Sequence, residues 1–72
     1  MEGFFTALKE QEDMTDEQVK QAKSVFAEQG IVFKQLMKTG ELAITDGEMK
    51  EYGISQGGLR KAILSVIRSQ QQ

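Results

Sequence analysis

The stretch 51-EYGISQGGLRKAI-63 decides how this chain is read. Helical pattern runs into it and out of it, with a break at Gly53-Ile54-Ser55. A three-residue joint opening on glycine between two short helices is a helix-turn-helix connection. Gly53 is expected to take the left-handed conformation that ends one helix and turns the chain. Ile54 then drops into the angle between the helices, and Ser55 is expected to cap the second one. Upstream, 45-TDGE-48 is a capping box with Thr45 as cap and Glu48 reaching back, so the helix before the joint covers about 46–52 and points Met49 and Tyr52 inward. Downstream, the spacing of Leu59, Ala62, Ile63, Val66 and Ile67 predicts a helix over 56–69 with one apolar stripe.

Working toward the N-terminus, 15-TDEQ-18 is a second capping box, with Asp16 and Glu17 in a first turn where the helix dipole favours anions. Val19, Ala22, Val25 and Phe26 form the buried stripe of a helix over about 16–29, and Gly30 stops it. Gly30 as a kink within one longer helix is the alternative; two helices are preferred. The next segment, 31-IVFKQLMKTG-40, carries Val32, Phe33, Leu36 and Met37 as its apolar face and closes on Lys38 and Gly40. The link 41-ELAI-44 reads as extended, with Leu42 and Ile44 tucked under the helices. At the start, 3-GFFTALKEQ-11 puts Phe4, Phe5 and Leu8 on one side, either as a docked short helix or as a subunit contact.

The expected fold is therefore all-α: a small bundle of four or five helices with a C-terminal helix-turn-helix. Residues 1–13 form an N-terminal arm or short helix, 14–69 the helical domain, and 70–72 a frayed polar tail. Seventy-two residues make one domain with a modest core. Proline, histidine and cysteine are all absent. Disulfides, Cys/His metal centres, cysteine nucleophiles and histidine bases are excluded with them. No apolar run approaches the roughly 20 residues that span a bilayer, and residues 1–13 lack the charged and apolar regions of a secretory signal. A cytoplasmic protein is the expectation. Asp46, Glu48 and Glu51 are clustered carboxylates, yet capping explains them, and 46-DGEMKE-51 lacks calcium-loop spacing. No metal, cofactor, small-molecule effector or enzymatic activity is expected.

Charge is unevenly placed. Net charge is −2. Residues 1–30 set seven acids against Lys9, Lys20 and Lys23, while beyond Glu51 there is no acid at all. On the last helix, the face opposite the apolar stripe holds Gly57, Arg60, Lys61, Leu64 and Arg68. Two glycines in a first turn cost helix stability, about 1 kcal/mol each relative to alanine. A close approach of the bare N-terminus to a phosphate backbone would account for them. Arg60 and Lys61 would then face a major groove, where basic side chains pair with guanine, and Gln56 would bond adenine or phosphate.

At these residues the chain resembles known DNA-binding proteins. The run 52-YGISQGGLRKAILSVI-67 is similar to the helix-turn-helix of GntR-type regulators, in which a glycine, an aliphatic and a serine precede small residues and an Arg-Lys-Ala run. The wider span from 14-MTDEQVKQAK-23 through Ile67 resembles the small plasmid repressors of the TrfB/KorA type. The resemblance implies a sequence-specific double-stranded DNA-binding repressor of a small plasmid or phage operon, acting as a homodimer. It implies base contacts from Gln56, Arg60 and Lys61, and backbone contacts from Ser55, Gly57, Lys50 and Arg68. Neither the two-stranded wing and effector domain of the first family nor the dimerisation region of the second is present in these residues. Ligand sensing is accordingly not expected, and a dimer would need Phe4, Phe5 and Leu8, or Leu64. A rival reading makes the chain a protein-interaction module or accessory subunit whose acidic N-terminal helix, residues 10–28, holds a basic partner.

Overall fold

The computed structural model of the chain describes residues 2–71. Five α-helices and one 3₁₀ turn follow in order: α1 Glu2–Gln11, α2 Asp16–Glu28, α3 Phe33–Leu36, the turn Gly40–Leu42, α4 Asp46–Glu51 and α5 Gly57–Gln70. The described residues contain no strand, so the chain is the all-α bundle its periodicity predicts.

Both predicted capping boxes form. In α2, the Gln18 amide donates to Thr15 Oγ1 at 3.1 Å and the Thr15 amide donates to Gln18 Oε1 at 3.0 Å. In α4 the corresponding bonds join Glu48 and Thr45 at 3.1 and 3.3 Å. The two helices also end alike. Gly30 (φ +67) and Gly53 (φ +108) follow α2 and α4 in the left-handed region. After α2, Ile31 N–H donates to Phe26 O at 2.8 Å and Gly30 N–H to Ala27 O at 3.3 Å. After α4, Ile54 N–H donates to Met49 O and Gly53 N–H to Lys50 O, both at 3.1 Å. This is the Schellman arrangement, which folds an apolar residue back over the helix end. It buries Ile54 completely, beside a completely buried Met49. The predicted joint is thus present.

α5 is the central element. Its stripe of Leu59, Ala62, Ile63, Val66 and Ile67 is buried and packs against α1 and α4. α1 docks, burying Phe4, Phe5, Ala7 and Leu8. Phe4 meets Phe5 edge-on, with centroids 5.6 Å apart, and both approach the Phe26 ring at 6.1 and 5.7 Å. Such pairings add to the burial of three large side chains. Phe4, Phe5 and Leu8 are therefore core, and are withdrawn as a dimer surface.

Four local expectations are corrected. The third helix is a single turn: Val32, at its cap position, has no side-chain acceptor, and only Leu36 is buried. Residues 41–44 are not an extended link, because Gly40 (φ +66) starts a 3₁₀ turn that leaves Leu42 in solvent, 70% exposed. Ser55 is not the cap of α5. The joint uses Gly53 and Ile54 to close α4, the helix starts one residue later, and Gln56 stands at the cap with no side-chain bond to the first turn. Finally, α5 continues through Gln70, and Gln71 Nε2 donates to Lys38 O at 3.3 Å. Gln72 lies outside the described residues.

The two kinds of glycine should respond oppositely to alanine. Gly53→Ala forces a side chain into the left-handed region and should lower stability by about 1–2 kcal/mol. Gly58 is helical with open space around a Cβ, so Gly58→Ala should raise it by about 0.5–1 kcal/mol. Urea unfolding of the two variants checks both signs.

Candidate functional site

The α4–α5 corner carries the residues expected to meet DNA, and the structure divides them. Lys50, Ser55, Gln56, Gly57, Lys61 and Arg68 are exposed. Lys61 and Arg68, seven residues apart, share one face of α5. Arg60 does not join them. Its side chain is only 13% exposed; Nε donates to Asp46 Oδ1 at 2.9 Å and Nη1 donates to Ile54 O at 2.8 Å. The reason is angular. The apolar stripe of α5 centres between Val66 and Ile63, and Arg60 falls about a quarter-turn from that centre at 100° per residue. Lys61 and Arg68 lie nearly opposite it. Arg60 thus flanks the stripe and reaches back over α4, where it fastens the first residue of that helix to the corner made by Ile54. The Arg60 guanidinium belongs to the fold, and its assignment as a base reader is corrected.

Other bonds change the expected electrostatics. Gln56 Oε1 accepts from Gln18 Nε2 at 3.0 Å, which ties the start of α5 to α2. Ser65, on the exposed side of α5, donates to Glu12 Oε2 at 3.0 Å. A carboxylate from the α1–α2 connection therefore reaches the face that α5 itself leaves free of acids. Leu64 is half-buried against the core and helps line a depression with Ala43, Ile44 and Ile67. Neither Gly57 nor Gly58 is required by packing: a Cβ at 57 would make only ordinary contact with Arg60, at 3.6 Å.

The acidic N-terminal face carries an ion pair of its own. Lys9 Nζ lies 2.6 Å from Asp16 Oδ1. That hydrogen bond and charge hold the Asp16 carboxyl below its ordinary range and raise Lys9. Glu17 and Glu28 alternate along exposed α2 with Lys20 and Lys23. On α4, burial and then the Glu48 charge push the Tyr52 phenol up; it stays protonated and donates to Glu48 Oε2 at 3.3 Å. Among the described residues no group of three acids is placed to hold a metal ion, and no helix is long and apolar enough to cross a membrane.

The surface feature that sequence reasoning missed lies elsewhere. Val32 is 55% exposed, Phe33 39%, and Leu42 70%. Val32 and Phe33 stand on one side of an open groove of about 500 Å³, floored by Phe5 and Phe26 and flanked by Lys23 and Lys34. Leu42 borders a second groove with Ile44 and Tyr52, where Gln35, Lys38 and Glu48 supply polar groups. A signal was available: 31-IVF-33 places three apolar residues in succession at the start of one helical turn, and one turn cannot bury all of them.

Compared with known protein families, with curated proteins and with solved structures, the chain shows no match.

The internal role of Arg60 predicts a stability phenotype. Arg60→Ala should cost about 1–2 kcal/mol, the scale of hydrogen bonds to a charged group discounted for a half-exposed partner. In a domain of this size Tm should then fall by roughly 5–15 °C. Lys61→Ala should leave Tm unchanged. Equal melting curves for the two variants would show that Arg60 does not brace the corner.

Proposed function

We propose that the chain is a protein-interaction module, a small helical body that presents its α3 and 3₁₀ segment to another protein and catalyses no reaction. The observation that carries this reading is the exposure of Val32, Phe33 and Leu42 within one short segment. Single exposed apolar side chains are ordinary. Three along one segment, at the edges of two grooves, are a concentration of apolar exposure of the kind that marks an interaction surface. Full burial of such side chains is worth about 1.5–3 kcal/mol each, a gain available to a partner and forgone by the isolated chain. Polar groups at the rims, Lys34 on α3, Lys38 just beyond it and Glu48 on α4, supply orientation. This moves the contact surface from the mixed-charge α2, where the sequence suggested it, to the middle of the chain.

A second reading keeps double-stranded DNA as the partner, with a homodimeric repressor as its fuller form. Lys61 and Arg68 on one exposed face, Lys50 nearby in sequence, and the open first turn at Gly57 and Gly58 favour it. It ranks second because Arg60 is engaged internally, Glu12 reaches the α5 face, and the net charge is −2. Affinity for duplex DNA comes chiefly from cations neutralising phosphates, and of the cations expected at this corner Lys50, Lys61 and Arg68 are exposed. Either partner is compatible with a cytoplasmic setting.

The two readings separate in one pair of measurements. A photo-reactive residue in place of Leu42, irradiated in cells, should join the chain to one discrete protein. The purified pair should associate, and Leu42→Lys should weaken it at least about tenfold, or 1.4 kcal/mol, with the fold intact by circular dichroism. Duplex DNA at low salt should leave the amides of residues 55–61 in place. A concerted shift of those amides, with affinity falling steeply as salt rises, would replace the first reading with the second.

A further inference from the structure

The groove between α1, the end of α2 and the start of α3 has a composition that selects its occupant. Phe5 and Phe26 are buried beneath it, Ala27 and Ile31 continue the apolar surface, and Val32 and Phe33 rise from it into solvent. Among the described residues, the charged ones lining it are Lys23 and Lys34. Neither is ion-paired with any described residue. Glu2 and Glu28, the neighbouring acids of α1 and α2, are outside the lining. Lys23 Nζ sits 5.5 Å from the centroid of the Phe5 ring. That cation–π contact holds the ammonium at the groove edge without neutralising it.

The geometry points to this groove as a docking site for an acidic peptide segment of another protein. One or two large apolar side chains of the segment fill the space over Phe5 and Phe26, and flanking Asp or Glu carboxylates meet Lys23 and Lys34. The volume, about 500 Å³, falls in the range of sites that enclose a ligand of several apolar groups. Charge complementarity sets the sign of the partner: two unpaired cations beside an apolar floor attract carboxylates and repel a basic segment. The cations stand on different elements, Lys23 on α2 and Lys34 on α3. Carboxylates spaced along a chain match that placement better than one headgroup does. The inference rests on the interaction reading and names the chemistry of one partner.

The test uses the full chain, labelled with nitrogen-15, and two short fluorescein-labelled peptides. One alternates Glu and Asp with Leu and Phe; its twin carries Lys in place of every acid. The acidic peptide should shift the amides of Lys23, Phe26 and residues 31–34 together, with affinity falling as salt rises, and the basic twin should not. Lys34→Glu should weaken binding at least about tenfold. Val32→Asp, at a half-exposed cap position where Asp can cap α3, should abolish it without lowering the melting temperature. Absence of shifts at these residues, or equal binding of the twin, overturns the assignment. Concentration-dependent shifts at residues 31–34 without peptide, with a doubled sedimenting mass, overturn it in favour of a second copy of the chain. Sodium laurate moving the same amides at lower concentration than the peptide overturns it in favour of an anionic amphiphile. If the groove ignores the acidic peptide while Leu42→Lys still releases the cross-linked partner, the groove assignment fails and the interaction reading stands.

Discussion

Ile54 is completely buried at the corner between α4 and α5, and the position of both helices follows from it. Its burial depends on Gly53, whose φ of +108 lets the chain reverse so that Ile54 N–H reaches Met49 O. A residue with a side chain pays a steric penalty in that region. With the reversal in place, the Ile54 carbonyl faces α5 and accepts from Arg60, which also holds Asp46 at the opposite end of α4. One guanidinium thus braces a six-residue helix at its first residue and at the turn that follows it. A helix this short has little stability of its own. The capping box at Thr45, the Schellman closure and the Arg60 clamp keep it folded against α5.

The same corner explains why the most DNA-like stretch of sequence is a weak cationic surface. A helix-turn-helix reader must present its basic residues away from the joint. Here the central basic residue turns toward the joint. Lys61 and Arg68 remain outward, and Glu12 reaches their face through Ser65. Charge counted along the chain and charge presented in space therefore differ at both ends of the molecule. The N-terminal segment keeps its negative sign but presents it in a mixed pattern, because Lys9 pairs with Asp16 and Lys20 and Lys23 share the exposed side of α2. Since interactions between exposed charges are screened beyond about 8–10 Å, these local pairings matter more than the totals for each half.

How much of this was legible depended on whether a signal was local. Thr15 with Gln18 and Thr45 with Glu48 are reciprocal bonds over three residues, and the sequence displays both partners. Gly30 and Gly53 end helices for a backbone reason visible in the residue type alone. The apolar stripe of α5 is periodic, so all five of its buried members could be read. The α3 region had no such guide. Val32 and Met37 fit a helical face as well as they fit a turn, and which of the apolar residues enters the core, Leu36 and not Phe33, is set by packing between distant elements. The engagement of Arg60 is not legible locally, because its partners, Asp46 and the Ile54 carbonyl, reach it only once α4 is folded back against the edge of the α5 stripe. Glu12 on Ser65 joins residues far apart in sequence, and no spacing announces it.

The distribution of apolar exposure gives the strongest functional constraint. Among the described residues the core takes in sixteen and contains no buried polar side chain, so the bundle has closed its interior without help from Val32, Phe33 or Leu42. A small domain stands to gain much from every large side chain it buries, because its surface is large relative to its volume. Leaving three outside in one segment is therefore an opportunity for stabilisation left unused by the fold. Their positions sharpen the point: two border a groove whose charged lining residues, among those described, are cations, and the third borders a groove containing both Lys38 and Glu48. A surface with apolar floors and sparse, specific charge discriminates among protein segments by the sign and spacing of their flanking residues. On the proposed reading, the tightly clamped α4–α5 corner holds the body rigid, and the open α3 and 3₁₀ segment is the part left to meet a partner.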